Sequence, residues 1–324
     1  MPGFSITRHR RFDGARRDPG GCPSAGLPAL FLFLAVMLPV AAWGADVPAA
    51  LIRWGKGENA CAVLVDKSAQ RIFLYRRGHE SKPVRIYPCS TGENPGPKTR
   101  KNDKKTPEGV YFFVDSFVAG QLTPIYGCRA FPLDYPNPMD RQEGRGGYGI
   151  WLHGTNEPLR PMNTNGCVVM ENRDILDLAT HIRLFETPVI IMRESKRVPA
   201  EVRRREAAVL GERVNAWLRF QRDGDRAACP RLYSPRCRPG GMDRDCRIRH
   251  APAHRNSRPD VPPAADHLQL FENSGRVLAR FYLVCGTPPA TRRVRTRLYF
   301  EKSGGRWEII GEFTETPGHT RRGR

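Results

Sequence analysis

Cys167 and His153 are the two residues whose types and spacing could support a reaction. Gly166-Cys167 lies a short loop downstream of His153-Gly154. A cysteine attacks as its thiolate, so it needs a base or a positive local field. An imidazole with a pKa close to the working pH can take the thiol proton and later pass it to a leaving amine. The pattern therefore favours covalent acyl transfer, with Cys167 as nucleophile and His153 as general base and acid.

The neighbouring residues could complete such a site. Gly166 permits a tight turn at which the N–H groups of Cys167 and its neighbours could stabilise a tetrahedral oxyanion. The carbonyl of Gly154, or the side chain of Thr164 or Asn165, could orient the imidazole. The spacing alone also fits an inert buried cysteine and a strand-end histidine in the core, so the interpretation depends on the surrounding sequence.

Short apolar runs separated by turn residues predict the framework around this pair. Tyr148–His153 is typical of a strand, and 172–182 of a helix that Asn172 could cap, with its positive end near Cys167. Upstream of both elements, the loop Thr91–Lys105 carries several basic residues and is expected to be solvated. Further β-rich runs predict strands over Cys61–Asp66, Arg71–Arg76, Val84–Cys89, Thr106–Val114 and Thr187–Met192. Residues 61–193 are therefore expected to form a mostly-β domain with one helix.

Residues 198–318 have the pattern of a second domain of the α+β class. A helix is expected over Pro199–Arg219. A helix followed by a curved antiparallel sheet suits a cone-shaped domain. Residues 222–263 are rich in Pro, Arg and Cys and are expected to be irregular, and 319–324 form a short basic tail. The strands of this domain are expected over Leu268–Phe271, Val277–Val284, Val294–Glu301 and Trp307–Glu312.

The sequence around the cysteine resembles the L,D-transpeptidase catalytic domain family, also called the YkuD family. His153-Gly154-Thr155-Asn156 is similar to the family's upstream His-Gly element, and Thr164–Met170 to its Gly-Cys block. Thr106–Gly109 resembles the family's Thr-Pro-x-Gly step, and Thr187–Ile191 its last strand. The run from Leu64 to Tyr75 looks like its opening hairpin. The resemblance covers about residues 61–193 and implies a YkuD-like β-sandwich.

The resemblance also implies a role in peptidoglycan biosynthesis, cell wall biogenesis and cell shape. Cys167 would attack the amide that follows the L-centre of diaminopimelate in a tetrapeptide stem and release D-Ala. An amine of a second stem, or of another acceptor, would then take the acyl group. His153 would be base and then acid, Gly154 would orient it through the backbone, and Gly166 would contribute to the oxyanion hole. The substrate-binding residues would be Thr164, Asn165 and Tyr148. No cofactor or metal is implied.

Two departures from the family pattern leave the choice of donor and acceptor open. Asn165 replaces the common His before Gly-Cys, and Val169 stands where many members carry Arg. Some relatives hydrolyse rather than transfer, so a peptidoglycan amidase or endopeptidase that uses the same Cys-His pair is an alternative. A non-catalytic murein-binding protein is a third interpretation, from another functional class.

The second domain resembles the nuclear-transport-factor-2-like, or SnoaL-like, fold in a degenerate form. The similar segments are Trp217-Leu218, Tyr233–Pro235, Gly241–Asp243, Leu298–Glu301 and Gly305–Ile310. Nothing in this domain proposes a catalytic set. Its expected role is therefore that of a spacer or of a binding site for a protein partner.

Residues 1–45 have the features of an export signal, because an Arg-rich segment precedes an apolar run that ends in small residues before Asp46. Export to the periplasm or cell envelope is expected, with retention as an N-terminal membrane anchor as the alternative, and 46–60 would be a linker. The formal net charge of +20 favours an anionic polymer such as murein. No motif supports a nucleic-acid partner, and solubility could equally explain the Arg content. Nine cysteines include no Cys-x-x-Cys pair, so neither a metal site nor a disulfide connectivity is predicted.

Overall fold

The structure of the chain is a computed structural model that describes residues 45–55, 57, 59–223, 229–237, 264–285 and 292–315. The predicted export signal or anchor lies outside the described residues up to residue 44, as do residues 224–228 and 238–263 of the stretch expected to be irregular. The basic tail 319–324 also lies outside them. None of the described helices is both long and apolar enough to cross a lipid bilayer.

The described residues form four α-helices and sixteen strands, so the fold is dominated by β structure. The helices are α1 (Pro138–Gln142), α2 (Asn172–Ala179), α3 (Ala200–Asp223) and α4 (Cys229–Leu232). The strands are β1 (Asp46–Pro48), β2 (Leu51–Arg53), β3 (Cys61–Asp66), β4 (Arg71–Arg76), β5 (Arg85–Pro88), β6 (Gly109–Phe112), β7 (Phe117–Val118), β8 (Arg129–Pro132), β9 (Trp151–His153), β10 (Val168–Val169), β11 (Pro188–Met192), β12 (Arg197–Pro199), β13 (Ala264–Asn273), β14 (Arg276–Cys285), β15 (Arg292–Ser303) and β16 (Arg306–Glu315).

A central five-stranded sheet has the order β5-β4-β3-β11-β6. Strand β11 lies parallel to β3 and antiparallel to β6, whereas β4 and β5 extend the sheet as an antiparallel meander. All six residues of β3 and all five of β11 are buried. Both strands are continuous apolar runs, which is the pattern of strands covered on both faces.

One face of the central sheet packs against a smaller sheet of order β10-β9-β8-β7. Val63 and Val65 of β3 point into the core between the two sheets, together with Leu152 of β9 and Val168 of β10. Side chains on a strand alternate between faces, so every second residue of β3 enters this core. The two sheets form the predicted β-sandwich, and the mostly-β fold class is confirmed.

The other face of the central sheet packs against the C-terminal sheet, whose order is β16-β15-β14-β13-β2. Leu64 of β3 and Ile190 of β11 meet Phe271, Leu278 and Tyr299 in a second apolar core. Burying apolar side chains contributes roughly 25 cal/mol per Å² removed from water, so this contact stabilises both partners.

Helix α3 covers the opposite face of the C-terminal sheet. Leu210, Val214 and Trp217 recur at helical spacing on one side of α3 and contact Phe281 and Phe300 of the sheet. The indole N–H of Trp217 donates to Glu312 Oε2 at 3.0 Å, which satisfies its only polar atom inside this core. The helix-and-sheet plan predicted for the C-terminal part is thus present. Its description as a SnoaL-like cone stays a prediction.

The segment 46–60 differs from the linker that the sequence predicted. Asp46–Pro48 pairs with β12, and Leu51–Arg53 is the edge strand of the C-terminal sheet, paired with β13. These strands have only three residues each, which is too short for a period to be visible in the sequence. The central domain also contains the short helix α1 in addition to the one helix predicted there, α2.

A buried ion pair joins the C-terminal sheet to the loop that follows β8. Arg297 is 4% exposed, and its Nη1 donates to Asp134 Oδ2 at 2.8 Å. The other carboxylate oxygen of Asp134 accepts the backbone N–H of Phe112 at 2.8 Å. The pair therefore links β15 of the C-terminal sheet and β6 of the central sheet to the loop after β8.

Replacing Arg297 by Met is expected to destabilise the protein by about 3 kcal/mol, because it leaves the largely buried Asp134 carboxylate without its cation. Urea unfolding measures the change. The control is Arg205→Met, since Arg205 is 79% exposed and pairs only with Glu201 on the surface of α3. Equal stability of the two variants would contradict a structural role for the Arg297–Asp134 pair.

Candidate active site at Cys167 and His153

His153 ends β9 and is 5% exposed. Its Nδ1 lies 2.6 Å from the carbonyl oxygen of Gly154, which accepts the Nδ1 proton. This contact fixes the ring orientation and leaves Nε2 as the free, proton-accepting nitrogen. The Gly154 carbonyl is thus in contact with the imidazole, and its role in catalysis stays a prediction. Burial lowers the pKa of His153, with the Gly154 contact opposing the shift, so the imidazole is neutral and available as a base near neutral pH.

Cys167 directly precedes β10, which pairs in parallel with β9. The register places Val169 beside His153 and Val168 beside Leu152. Because side chains two residues apart share a face of the sheet, Cys167 and His153 face the same side on neighbouring strands. The thiol of Cys167 donates to the carbonyl oxygen of Gly149 with an Sγ–O distance of 3.5 Å. The structure thus brings the two predicted catalytic residues into one site.

The electrostatics at Cys167 favour a neutral thiol. Burial raises the pKa of Cys167, and this effect outweighs the backbone N–H of Trp151 and the ammonium of Lys98, which both lower it. The lowered pKa of His153 and the raised pKa of Cys167 both favour the neutral form of the side chain. The arrangement suits proton transfer to His153 during the attack of the sulfur on a carbonyl carbon.

Residues 164–167 form a closed turn that sets the position of the thiol. The N–H of Gly166 donates to Thr164 Oγ1 at 3.0 Å, and the Thr164 hydroxyl donates to the Cys167 carbonyl at 2.8 Å. Gly166 has φ +127, and a Cβ there would lie 2.7 Å from the Lys105 carbonyl oxygen. In this conformation, the Gly166 N–H and the Thr164 hydroxyl serve the turn rather than an oxyanion or a substrate. Asn165 is exposed on it.

Tyr126 is a site residue that sequence analysis missed. Its ring centroid lies 4.9 Å from that of His153 and 4.7 Å from that of Trp151. Burial raises the pKa of Tyr126, and ionisation of Cys167 would raise it further, so the Tyr126 hydroxyl stays protonated. Tyr126 belongs to a single 3₁₀ turn, Pro124–Tyr126, which has no periodic pattern that could have marked it.

The basic loop before β6 is not uniformly solvated. Lys98 is 3% exposed and pairs with Asp103 at 2.6 Å, also donating to the Arg100 carbonyl at 3.1 Å. These contacts replace the water that the ammonium loses. Lys101 is exposed as predicted, with its Nζ 5.2 Å from the ring centroid of Tyr148. Tyr148 itself is 72% exposed and precedes Gly149, the partner of the thiol, so it borders the site.

Asn172 supports the segment that follows His153. Glu171, not Asn172, is the N-cap residue of α2. The Asn172 amide instead accepts the N–H of Cys128 at 3.0 Å and donates to Asn156 at 2.8 Å. A Cβ on Gly154 would lie 2.3 Å from Asn172 Oδ1. The Gly154 carbonyl that holds His153 therefore depends on this close packing.

Alkylation of Cys167 by iodoacetamide is expected to be slower at pH 7 than that of a free cysteine derivative, because its raised pKa lowers the thiolate fraction. Its rate is expected to rise through a pH above the pKa of an ordinary thiol. Peptide mass spectrometry of timed samples separates Cys167 from the other cysteines, and Cys167→Ala identifies the peptide. A rate that is already maximal at pH 7 would contradict the neutral resting thiol.

Gly154→Ala is expected to cost about 2 kcal/mol in unfolding free energy, because the new methyl group overlaps the Asn172 amide. Denaturant unfolding measures this cost. Gly120→Ala is the matched control, since a Cβ at Gly120 meets nothing within 4 Å. In the double variant Gly154→Ala/Asn172→Ala, the costs are expected to be less than additive. Strict additivity would show that the Gly154–Asn172 contact does not limit the position.

Comparisons with known proteins bear on the family and the fold of the chain. No curated protein matches the chain in sequence. The structure of Bd1075 from Bdellovibrio bacteriovorus covers 84% of this chain and 98% of its own, with a TM-score of 0.67 at 24% identity. The helical cell shape determining protein Pgp2 from Campylobacter jejuni covers 82% of this chain and 96% of its own, with a TM-score of 0.62 at 22% identity. These likenesses show a shared fold. Residues 62–191 match the family YkuD, the L,D-transpeptidase catalytic domain, which confirms the predicted family for this part of the chain.

Proposed function

We propose that the protein is a cysteine L,D-transpeptidase that acts on peptidoglycan stem peptides. The placement of His153 and Cys167 on one face of neighbouring strands, with His153 Nδ1 held by Gly154, is the observation that carries the proposal. The family match at residues 62–191 supports a reaction related to peptidoglycan. A reaction without cofactor or metal agrees with a thiol nucleophile and an imidazole base.

In the proposed first step, Cys167 Sγ attacks the carbonyl carbon of the diaminopimelate–D-Ala amide. His153 Nε2 takes the thiol proton and passes it to the departing D-Ala nitrogen, so a thioester forms as the amide bond breaks. In the second step, an acceptor amine attacks the thioester, His153 takes a proton from it and returns one to Cys167. The second step regenerates the free thiol and forms a new amide.

The oxyanion of each tetrahedral intermediate needs an N–H donor close to Cys167. Because Gly166 N–H is engaged with Thr164, we assign this role to the N–H of Cys167 itself. Tyr126 would add a hydroxyl donor beside the sulfur. Tyr148 and Asn165, both exposed beside the thiol, are the proposed contacts for the stem peptide.

The proposed place of action is the cell envelope, where murein is found. The apolar run after the N-terminal Arg-rich segment supports export through a cleaved signal or an anchor. Pgp2, which shares the fold over nearly its whole length, is described as a helical cell shape determining protein. This likeness supports a role in wall remodelling and cell shape. The C-terminal sheet and α3 would then act as a spacer or hold a protein partner.

Incubation of the full chain with disaccharide-tetrapeptide is expected to give a dimer with a 3–3 cross-link and free D-Ala, detected by mass spectrometry. Cys167→Ala is expected to abolish both products, because no other group replaces the thiol. Cys128→Ala is the matched control, since Cys128 is a second half-buried cysteine of this domain. Shortened stems without dimer would show hydrolysis instead. Wild-type protein that leaves the stem intact would favour a non-catalytic murein-binding protein.

A further inference from the structure

A cavity of about 390 Å³ lies between the central sheet and the C-terminal sheet, away from the cysteine site. It is lined by the residues that follow β2, the start of β3, the segment before β11 and three strands of the C-terminal sheet. Neither Cys167 nor His153 is among its lining residues. Its volume falls in the range of small-ligand sites. The side chains that dominate the argument are Trp54, Arg183, Arg280, Tyr282, Arg293 and Arg295.

The cavity is strongly basic. Four arginines line it, against the single carboxylate of Glu186 among the lining residues. Arg293 pairs with Asp266 at 2.6 Å at the rim, whereas Arg295 lies 3.6 Å from Glu315, beyond hydrogen-bond distance. Arg293 and Arg295 thus each have a carboxylate within 4 Å, whereas Arg183 and Arg280 have none in the part of the chain that the structure describes.

Arg280 is the buried centre of this charge. It is 5% exposed, its Nη1 donates to Gln269 Oε1 at 2.8 Å, and its Nη2 donates to the Phe185 carbonyl. Both partners are neutral, and no carboxylate among the described residues pairs with it. Burial, then the charges of Arg297 and Arg295, lower the pKa of Arg280 to about 9. A buried guanidinium of this kind costs free energy unless an anion compensates it.

Three residues that line the cavity each carry a buried N–H donor without a partner in the described part of the chain. Arg280 Nε, Arg295 Nε and Trp54 Nε1 are buried and have no hydrogen-bond partner within the described part of the chain. All three belong to residues that line the cavity. Buried polar groups are normally paired, so orphaned donors at one place indicate a missing acceptor. An acceptor that also neutralises arginine is an oxyanion, which guanidinium groups bind through paired hydrogen bonds.

Tyr282 gives the cavity an aromatic wall. The guanidinium carbons of Arg293 and Arg295 lie 4.7 Å and 5.9 Å from its ring centroid. These cation–π contacts hold the two arginines beside the ring and restrict their rotamers. The restricted side chains lose less entropy on binding, so the site is partly organised before a ligand arrives.

We propose that this cavity is a second binding site, separate from the cysteine site, for a small ligand that carries a carboxylate or phosphate group. The oxyanion would accept hydrogen bonds from Arg280 and Arg295, and the indole N–H of Trp54 would bind a further acceptor of the ligand. Arg183 and Arg293 at the exposed rim would attract it. This site is independent of the proposed transpeptidase reaction, since none of its residues belongs to the catalytic pair.

Isothermal titration calorimetry of the full chain at constant ionic strength tests the proposal, with inorganic phosphate and glutarate as the two probes. Binding of at least one probe is expected, and the tighter one identifies the phosphate or the carboxylate as the preferred group. Arg293→Gln/Arg295→Gln is expected to raise Kd about tenfold, since it removes the hydrogen bond from Arg295 and the positive charge of Arg293 but leaves Arg280 in place. Arg280→Met is expected to abolish binding.

Arg205→Gln is the control, because it removes one positive charge from the exposed side of α3. It is expected to leave Kd unchanged, and circular dichroism checks that each variant is folded. If Arg280→Met does not fold, Arg293→Gln/Arg295→Gln still tests the proposal. Absence of binding of both probes to the wild-type chain would overturn the proposal. The same Kd for the double variant and Arg205→Gln would also overturn it.

Discussion

The central sheet is buried on both faces, and the rest of the structure depends on this constraint. Val63 and Val65 of β3 point into the sandwich, while Leu64 points into the contact with the C-terminal sheet. A strand with apolar side chains on both faces of the sheet is stable only when other elements pack against both faces. The C-terminal sheet therefore shares a hydrophobic core with the central sheet, and helix α3 in turn covers the opposite face of the C-terminal sheet, which would otherwise meet water.

Main-chain hydrogen bonds between neighbouring strands connect Cys167 to the packed sheets. Strand β8 lies between β7 and β9, and β9 pairs with β10, so His153 and Cys167 are held by adjacent backbones. The N–H of Met170 donates to the His153 carbonyl at 3.0 Å and continues that pairing. Because the side chains are placed by main-chain hydrogen bonds, the proposed proton transfer between them would need little reorganisation. A neutral resting pair is compatible with this precision, since strong charge attraction is not required to align it.

Local pattern predicted what local forces decide. Short apolar runs between turn residues located β3 and β14, and helical spacing located α3, because burial of these elements sets the pattern of the sequence. Contacts between distant segments were not predictable in this way. Lys98 is one basic residue among several in its loop, and only the fold shows that it is buried and paired with Asp103. Tyr126 lies in a turn without a period, and its importance follows from the packing of its ring on His153. The Thr164 hydroxyl has a backbone partner inside its own turn, which composition cannot reveal.

The pairing of β2 with β13 has a consequence for the order in which the protein folds. Leu51 is synthesised before the strands of the β-sandwich, yet its partner Phe271 follows more than two hundred residues later. Closing so long a loop costs chain entropy that local contacts do not repay, so such pairings form late. Strand β2 presents Leu51 to one core and Ile52 to another, and both side chains stay uncovered until the last sheet is complete. The growing chain therefore carries the unpaired apolar strand β2 through most of its synthesis, and productive folding depends on the later synthesis of β13.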